Sequence, residues 1–193
     1  MRDKAKACES FVFKKIMYLH NNAELSFTKA ILANLRRGVG KSPASTPELW
    51  ELTLDGLPEE LYSKSGEPSN CEWVVHTVLT LFAVHQQGKD LKSQFMHKQN
   101  VSLGTALRQL VVGEEEQRIK RRFDAIVTSN NLEEMSQHLR GIVQMMRAKN
   151  IGFDYVRLAR DLFWFSFEDA RDSVRLIWGQ NYYRNIGEEN KEE

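Results

Sequence analysis

Ser69 and Glu72 stand immediately ahead of the longest apolar run in the chain, and Gly88 ends that run. A serine followed three positions later by glutamate is a capping box, in which each side chain satisfies a backbone N–H at a helix start. A glycine just past the last periodic residue is the matching stop. Together they predict a helix from Asn70 to about Gln87, apolar on more than one face and therefore central in whatever packs around it. The run is interrupted by His76, Thr77 and Thr80, so it falls short of the ~20 apolar residues of a membrane span.

The same punctuation recurs along the chain. Phe11, Ile16 and Leu19 predict a helix over about Glu9 to His20. Ser26 caps a second, with Phe27, Ala30, Ile31 and Leu35 on one face and Gly38 as its stop. Thr46-Pro47 and Pro58 open short pieces, since proline suits the first helical position. Ser102 caps a helix carrying Leu103, Leu107, Leu110 and Val111 that ends by Gly113. Glu114 to Glu116 start the next, where carboxylates suit the dipole, and the basic run 118–122 follows. Asn131 with Glu134, Asp154, and Ser166 with Asp169 open the last three. Lys89 to Asn100 shows no periodicity and reads as a mobile loop. No stretch alternates with period two. The expectation is an all-α fold of about nine helices in two packed bundles, 1–113 and 114–193, which are free to share a core.

With 41% hydrophobic and 27% charged residues, the chain can bury a core. Its net charge of +1 conceals segregation: +6 over residues 1–41, −6 over 42–77, +3 over 78–113, +1 over 114–187 and −3 over the tail 188–193. Such separation favours oriented binding of a polyanion, while ordinary solvated helix faces would produce it too. The polar N-terminus lacks the apolar block of a secretory signal. Cys8 and Cys71 are too few and too far apart for a disulfide framework or a zinc site. The expected setting is cytoplasmic.

Candidate catalytic patterns fail individually. Gly38-Val39-Gly40-Lys41-Ser42 has the end of a phosphate loop, but Leu35 stands where its first glycine belongs and no strand precedes it. The five histidines form no ligand pair, and His76 and His85 on the apolar helix read as hydrogen-bonded core residues. Asp154, Asp161 and Asp169 read as caps and helix-surface charges. The aromatics Trp50, Trp73, Phe163, Trp164, Phe165 and Trp178 recur at helical spacing and read as core before base-stacking surface. No enzyme, metal or cofactor is expected. Basic residues speak more clearly: Arg36, Arg37 and Lys41 form one cluster and Arg118, Lys120, Arg121 and Arg122 another, with Arg108, Arg140 and Arg147 on other helices. Arginine offers phosphate a planar fork, and such clusters neutralise a backbone without reading bases. An alternative for Arg36 or Arg37 is an ion pair with Glu48 or Glu51.

The order of several short segments carries a resemblance. These are Leu35-Arg36-Arg37-Gly38-Val39-Gly40-Lys41 with Pro47 and Trp50, Leu81 to His85, and Ser102-Leu103-Gly104 with Ala106-Leu107. Arg121-Arg122-Phe123, Leu139-Arg140 with Ile142-Val143, Asp154-Tyr155 with Leu158 and Asp161-Leu162, and Trp178 with Tyr182-Tyr183 follow. The chain resembles the small subunit of the type I-E CRISPR Cascade complex, the CasB family. The resemblance implies an all-helical, non-catalytic protein without metal or cofactor that serves antiviral defence. It also implies two copies lying along an RNA-guided complex, touching its large and backbone subunits, CRISPR RNA and target DNA. There they would help hold the target and displaced strands of the R-loop, with Arg36 and Arg37 facing the nucleic-acid path. In such complexes base pairing reads sequence and protein reads backbone and shape. A helical protein–protein adaptor without nucleic-acid contact is the alternative.

Overall fold

The computed structural model describes residues 1–184, apart from the side chain of Glu114. The acidic tail read at 188–193 lies outside the described residues. Nine α-helices carry the described fold, and it contains no β-strand. They are α1 (Arg2–Asn21), α2 (Ser26–Arg37), α3 (Trp50–Thr53), α4 (Asn70–His85), α5 (Leu103–Arg108), α6 (Glu116–Thr128), α7 (Leu132–Ala148), α8 (Tyr155–Phe165) and α9 (Glu168–Tyr183).

The capping box at Ser69 is present in full: its hydroxyl accepts from the Glu72 N–H and the Glu72 carboxylate accepts from the Ser69 N–H. Every residue of α4 from Val74 to His85 is buried, because α1, α2, α7 and α8 all pack on it. Helix α1 also packs on α8, α5 on α9, and α6 on α7. Contacts therefore pass between the helices before and after Gly113, and a single apolar cluster runs through both sets.

Several local expectations are corrected. Helix α1 begins at Arg2 rather than Glu9. Its inward stripe is Ala5, Cys8, Val12, Ile16 and Leu19, and small side chains start a stripe that charged neighbours disguise. Ser26 makes no cap, and the buried face of α2 is Thr28, Leu32 and Leu35, leaving Phe27 and Ala30 exposed and Ile31 half-buried. Thr28 can sit inside because its hydroxyl donates to the Asn22 carbonyl at 2.6 Å. Ser166 closes α8 by donating to Phe163 O at 2.6 Å instead of opening α9.

The segment read as a mobile loop is pinned. Leu91, Met96 and His97 are buried. Met96 and Lys98 exchange backbone hydrogen bonds with Phe153, and the Gln86 amide bonds to Lys89 O, Gln94 O and the Met96 N–H. Gln86, not periodicity, organises this turn. Cys8 and Cys71, distant in sequence, are both buried, free thiols that lie side by side where α1 packs on α4.

Candidate nucleic-acid interface

The exit from α2 is built to keep cations close to the bundle. His76 on α4 hydrogen-bonds the Gly38 carbonyl through Nε2 at 3.0 Å. A Cβ on Gly38 would meet Leu49 Cδ1 at 2.5 Å and Thr80 Cγ2 and His76 Cε1 of α4 at 3.2 and 3.3 Å, so a side chain here would have to displace Leu49 and crowd α4. Gly40 adopts φ +75°, and a Cβ there would lie 2.7 Å from Gln137 Nε2 on α7. Gly38 thus lays the turn on α4 and Gly40 brings it beside α7, with Arg36, Arg37 and Lys41 at or next to the turn.

Helix α7 is the spine of the arrangement. Arg36 and Arg147 are neighbours, and burial followed by the Arg147 and Arg37 charges lowers the Arg36 pKa. Arg147 donates to Gln87 Oε1 at 2.6 Å and to the Val84 carbonyl at 3.4 Å, holding its position at the end of α4. One turn of α7 above Gln137, exposed Arg140 lies beside Gly141. A Cβ on Gly141 would sit 2.7 Å from Nη1 of Arg122, so α6 lays that guanidinium across α7. Arg118, Arg121, Arg122 and Ala125 then enclose, with His138, a depression of about 290 Å³. From Gln137 to Arg147 the spine covers roughly 15 Å at 1.5 Å per residue.

The ten cations picked from the sequence divide. Arg36, Arg37, Lys41, Arg121, Arg122, Arg140 and Arg147 line this strip and make no ion pair among the described residues. Glu48 and Glu51 therefore do not engage Arg36 or Arg37. Arg118 belongs to the strip but pairs with Glu115 at 2.5 Å. Lys120 pairs with Asp124 at 2.6 Å and Arg108 with Glu116 at 3.6 Å. Both stand apart, on the side of Tyr182. Sequence reading missed Gln137 and His138, which carry no basic-cluster signal, and Lys89, whose ammonium bonds Asn150 Oδ1 just past the end of α7. Gly88, already legible as a helix stop, was the available pointer to Lys89.

The remaining sequence motifs meet one another in the core. His85 Nδ1 lies 2.9 Å from Tyr155 OH, and Phe123 stacks on Tyr182 at 4.6 Å. A Cβ on Gly104 would come within 2.5 Å of the Trp178 carbonyl. Asp161, read as a surface charge, is a buried acceptor for Trp178 Nε1 at 2.7 Å; burial raises its pKa and the indole N–H opposes the shift. Of the helical-spacing aromatics, Phe163, Phe165 and Trp178 are buried, Trp73 and Trp164 are half-buried, and Trp50 is exposed.

Residues 31–183 match the family described as CRISPR-associated protein Cse2. The chain belongs to the Cse2 family. Its fold also resembles the crystal structure of CasB from Thermobifida fusca, with TM-score 0.77 and 30% identity over 92% of this chain and 98% of that one. A Cse2-family CRISPR-associated protein from Thermus thermophilus aligns at TM-score 0.66 and 20% identity, covering 89% of this chain and 97% of its own. CasB from Thermus thermophilus aligns at 0.64 and 19%, with coverage of 89% and 97%. No curated protein matches. As a Cse2-family chain this is a Cascade-type subunit. Among the described residues no helix is long and apolar enough to cross a membrane, and no three potential metal ligands gather.

Proposed function

We propose that this Cse2-family subunit binds nucleic-acid backbone without sequence preference and stabilises the target and displaced DNA strands of an R-loop. It would act as a non-catalytic member of a cytoplasmic, RNA-guided complex in antiviral defence, beside large and backbone subunits and a second copy of itself. The observation that carries the reading is the strip of seven cations that make no ion pair among the described residues, along α7, the end of α2 and one side of α6. Like charges gathered at Arg36, Arg37 and Arg147 repel one another until a polyanion covers them. The strip has guanidinium forks and no base-stacking platform, which suits contacts that position a backbone.

The test is the salt dependence of single-strand binding. Arg36→Ala with Arg37→Ala should flatten the log–log slope by ~1.4, from ~0.7 per neutralised phosphate on a single strand. In the assembled complex the same variant should lose R-loop stability while guide RNA still loads. An unchanged slope in a folded variant would favour the adaptor alternative, in which no nucleic acid is touched.

A further inference from the structure

On a different face, α1, α2 and α3 leave a cleft of about 540 Å³. Its floor is Phe11, Ile31, Leu35, Leu49 and Leu52, all apolar. Lys14 and Lys15 of α1 form one wall, and Glu48, Glu51 and Asp55 form the other. Lys15 feels Asp55 and Glu51 across the gap, and its pKa is lowered by burial against that pull. Yet none of these five charges makes an ion pair within 4.0 Å among the described residues. At the lip, Tyr18 and Phe27 stack at 6.4 Å while remaining 44% and 41% exposed. An apolar trough with opposite charges on its two rims matches one occupant shape in particular. An amphipathic helix presents an apolar stripe with a charged edge on each side and seats side chains at i, i+3, i+4 and i+7 in such a groove.

We propose that this cleft docks an amphipathic helix of a different protein subunit, with carboxylates along its α1-facing edge and lysine or arginine along its α3-facing edge. The proposal rests on the chain working inside a multisubunit assembly and is independent of the basic strip. Phosphate is disfavoured here by Glu48, Glu51 and Asp55. A second copy seated face to face is disfavoured by shape, since two concave faces cannot fill each other. The half-buried Lys15 ammonium rests over the Phe11 ring at 5.1 Å and has no carboxylate within 4.0 Å among the described residues; it gains the most from an incoming carboxylate, since a charge-assisted hydrogen bond would offset its lost hydration.

The experiment uses the full chain in its purified complex, with p-benzoylphenylalanine replacing Ile31 on the cleft floor, and maps photo-cross-links by mass spectrometry. The expected product joins position 31 to a helical segment of another subunit bearing the stated charge pattern. Two wall variants, Lys14→Glu with Lys15→Glu and Glu51→Lys with Asp55→Lys, should each reduce retention in the complex at least tenfold. Both should keep helix content and the salt slope of single-strand binding in the isolated protein. Cross-links to nucleic acid, to a second copy or to nothing would overturn the proposal, as would unchanged retention of both folded wall variants. Loss of the salt-slope effect at Arg36 and Arg37 would instead remove the nucleic-acid reading and leave this one standing.

Discussion

His85 should make the fold sensitive to acid in a defined window. The ring is fully buried, its Nδ1 is bonded to Tyr155 OH, and burial lowers its pKa from 6.5 to about 4. An unfolded chain takes up this proton near pH 6.5, whereas the folded chain resists it until about pH 4. Between those values the unfolded state binds more protons, so stability falls as pH falls. For one group with these two pKa values, linkage gives a loss of about 2 kcal/mol between pH 7 and pH 5, and about 3 kcal/mol by pH 4. His76 and His97 are also lowered by burial and act in the same direction, while buried Asp161 is raised and acts against them. A difference measurement isolates His85. Urea unfolding of the parent and of His85→Gln, followed by circular dichroism at pH 7 and pH 5, should show the parent losing about 2 kcal/mol more than the variant. A stability difference identical at the two pH values would show that burial does not hold this imidazole neutral, and the reasoning would fail.

Phe82→Ala should cost about 3–5 kcal/mol and Leu79→Ala about 2–5 kcal/mol in the same assay, because both side chains are wholly buried in α4; losses near 0.5 kcal/mol would mean α4 is not the centre of the core. Gly104→Ala should destabilise by about 1–3 kcal/mol, since its methyl meets the backbone carbonyl of Trp178. Gly179→Ala, with nothing within 4 Å, should stabilise α9 by about 0.5–1 kcal/mol, and equal melting shifts of opposite sign to these would contradict the α5–α9 packing. For nucleic acid, Arg121→Ala with Arg122→Ala should flatten the single-strand salt slope by ~1.4. Lys120→Ala, removing a cation already paired with Asp124, should leave that slope unchanged.

The legible part of this molecule was whatever local chemistry determines. Ser69, Ser102, Asn131 and Asp154 each accept the backbone hydrogen bonds expected of a cap, and Gly88 turns with φ +73°. Residues whose role depends on a distant partner were misread. Asp161 looks like a surface carboxylate until Trp178 is placed beside it, and the two cysteines look solitary until α1 lies on α4. Phe27 outranks Thr28 in hydrophobicity, yet Thr28 is inside because the Asn22 carbonyl satisfies its hydroxyl. For the candidate interface, the arginines were visible as residues. Their division was not, since Lys120 and Arg121 are neighbours in sequence, yet the ~100° between successive helical residues turns one toward Asp124 and Tyr182 and the other toward His138.

The packing of α1 on α8 has a consequence for how the chain is made. Cys8, Val12, Ile16 and Leu19 are wholly buried, but the helix that helps cover them begins only at Tyr155. At a synthesis rate of ~5–20 residues per second, the first helix waits roughly 7–30 s for that cover. During this time α4 can cover only part of its apolar stripe. Arg2, Lys4, Lys6, Lys14 and Lys15 share the same helix, and like charges on nascent chains repel neighbours that would otherwise aggregate through such a stripe. The basic character of α1 thus suits it to keep partly made chains apart before it contributes to any surface of the finished one.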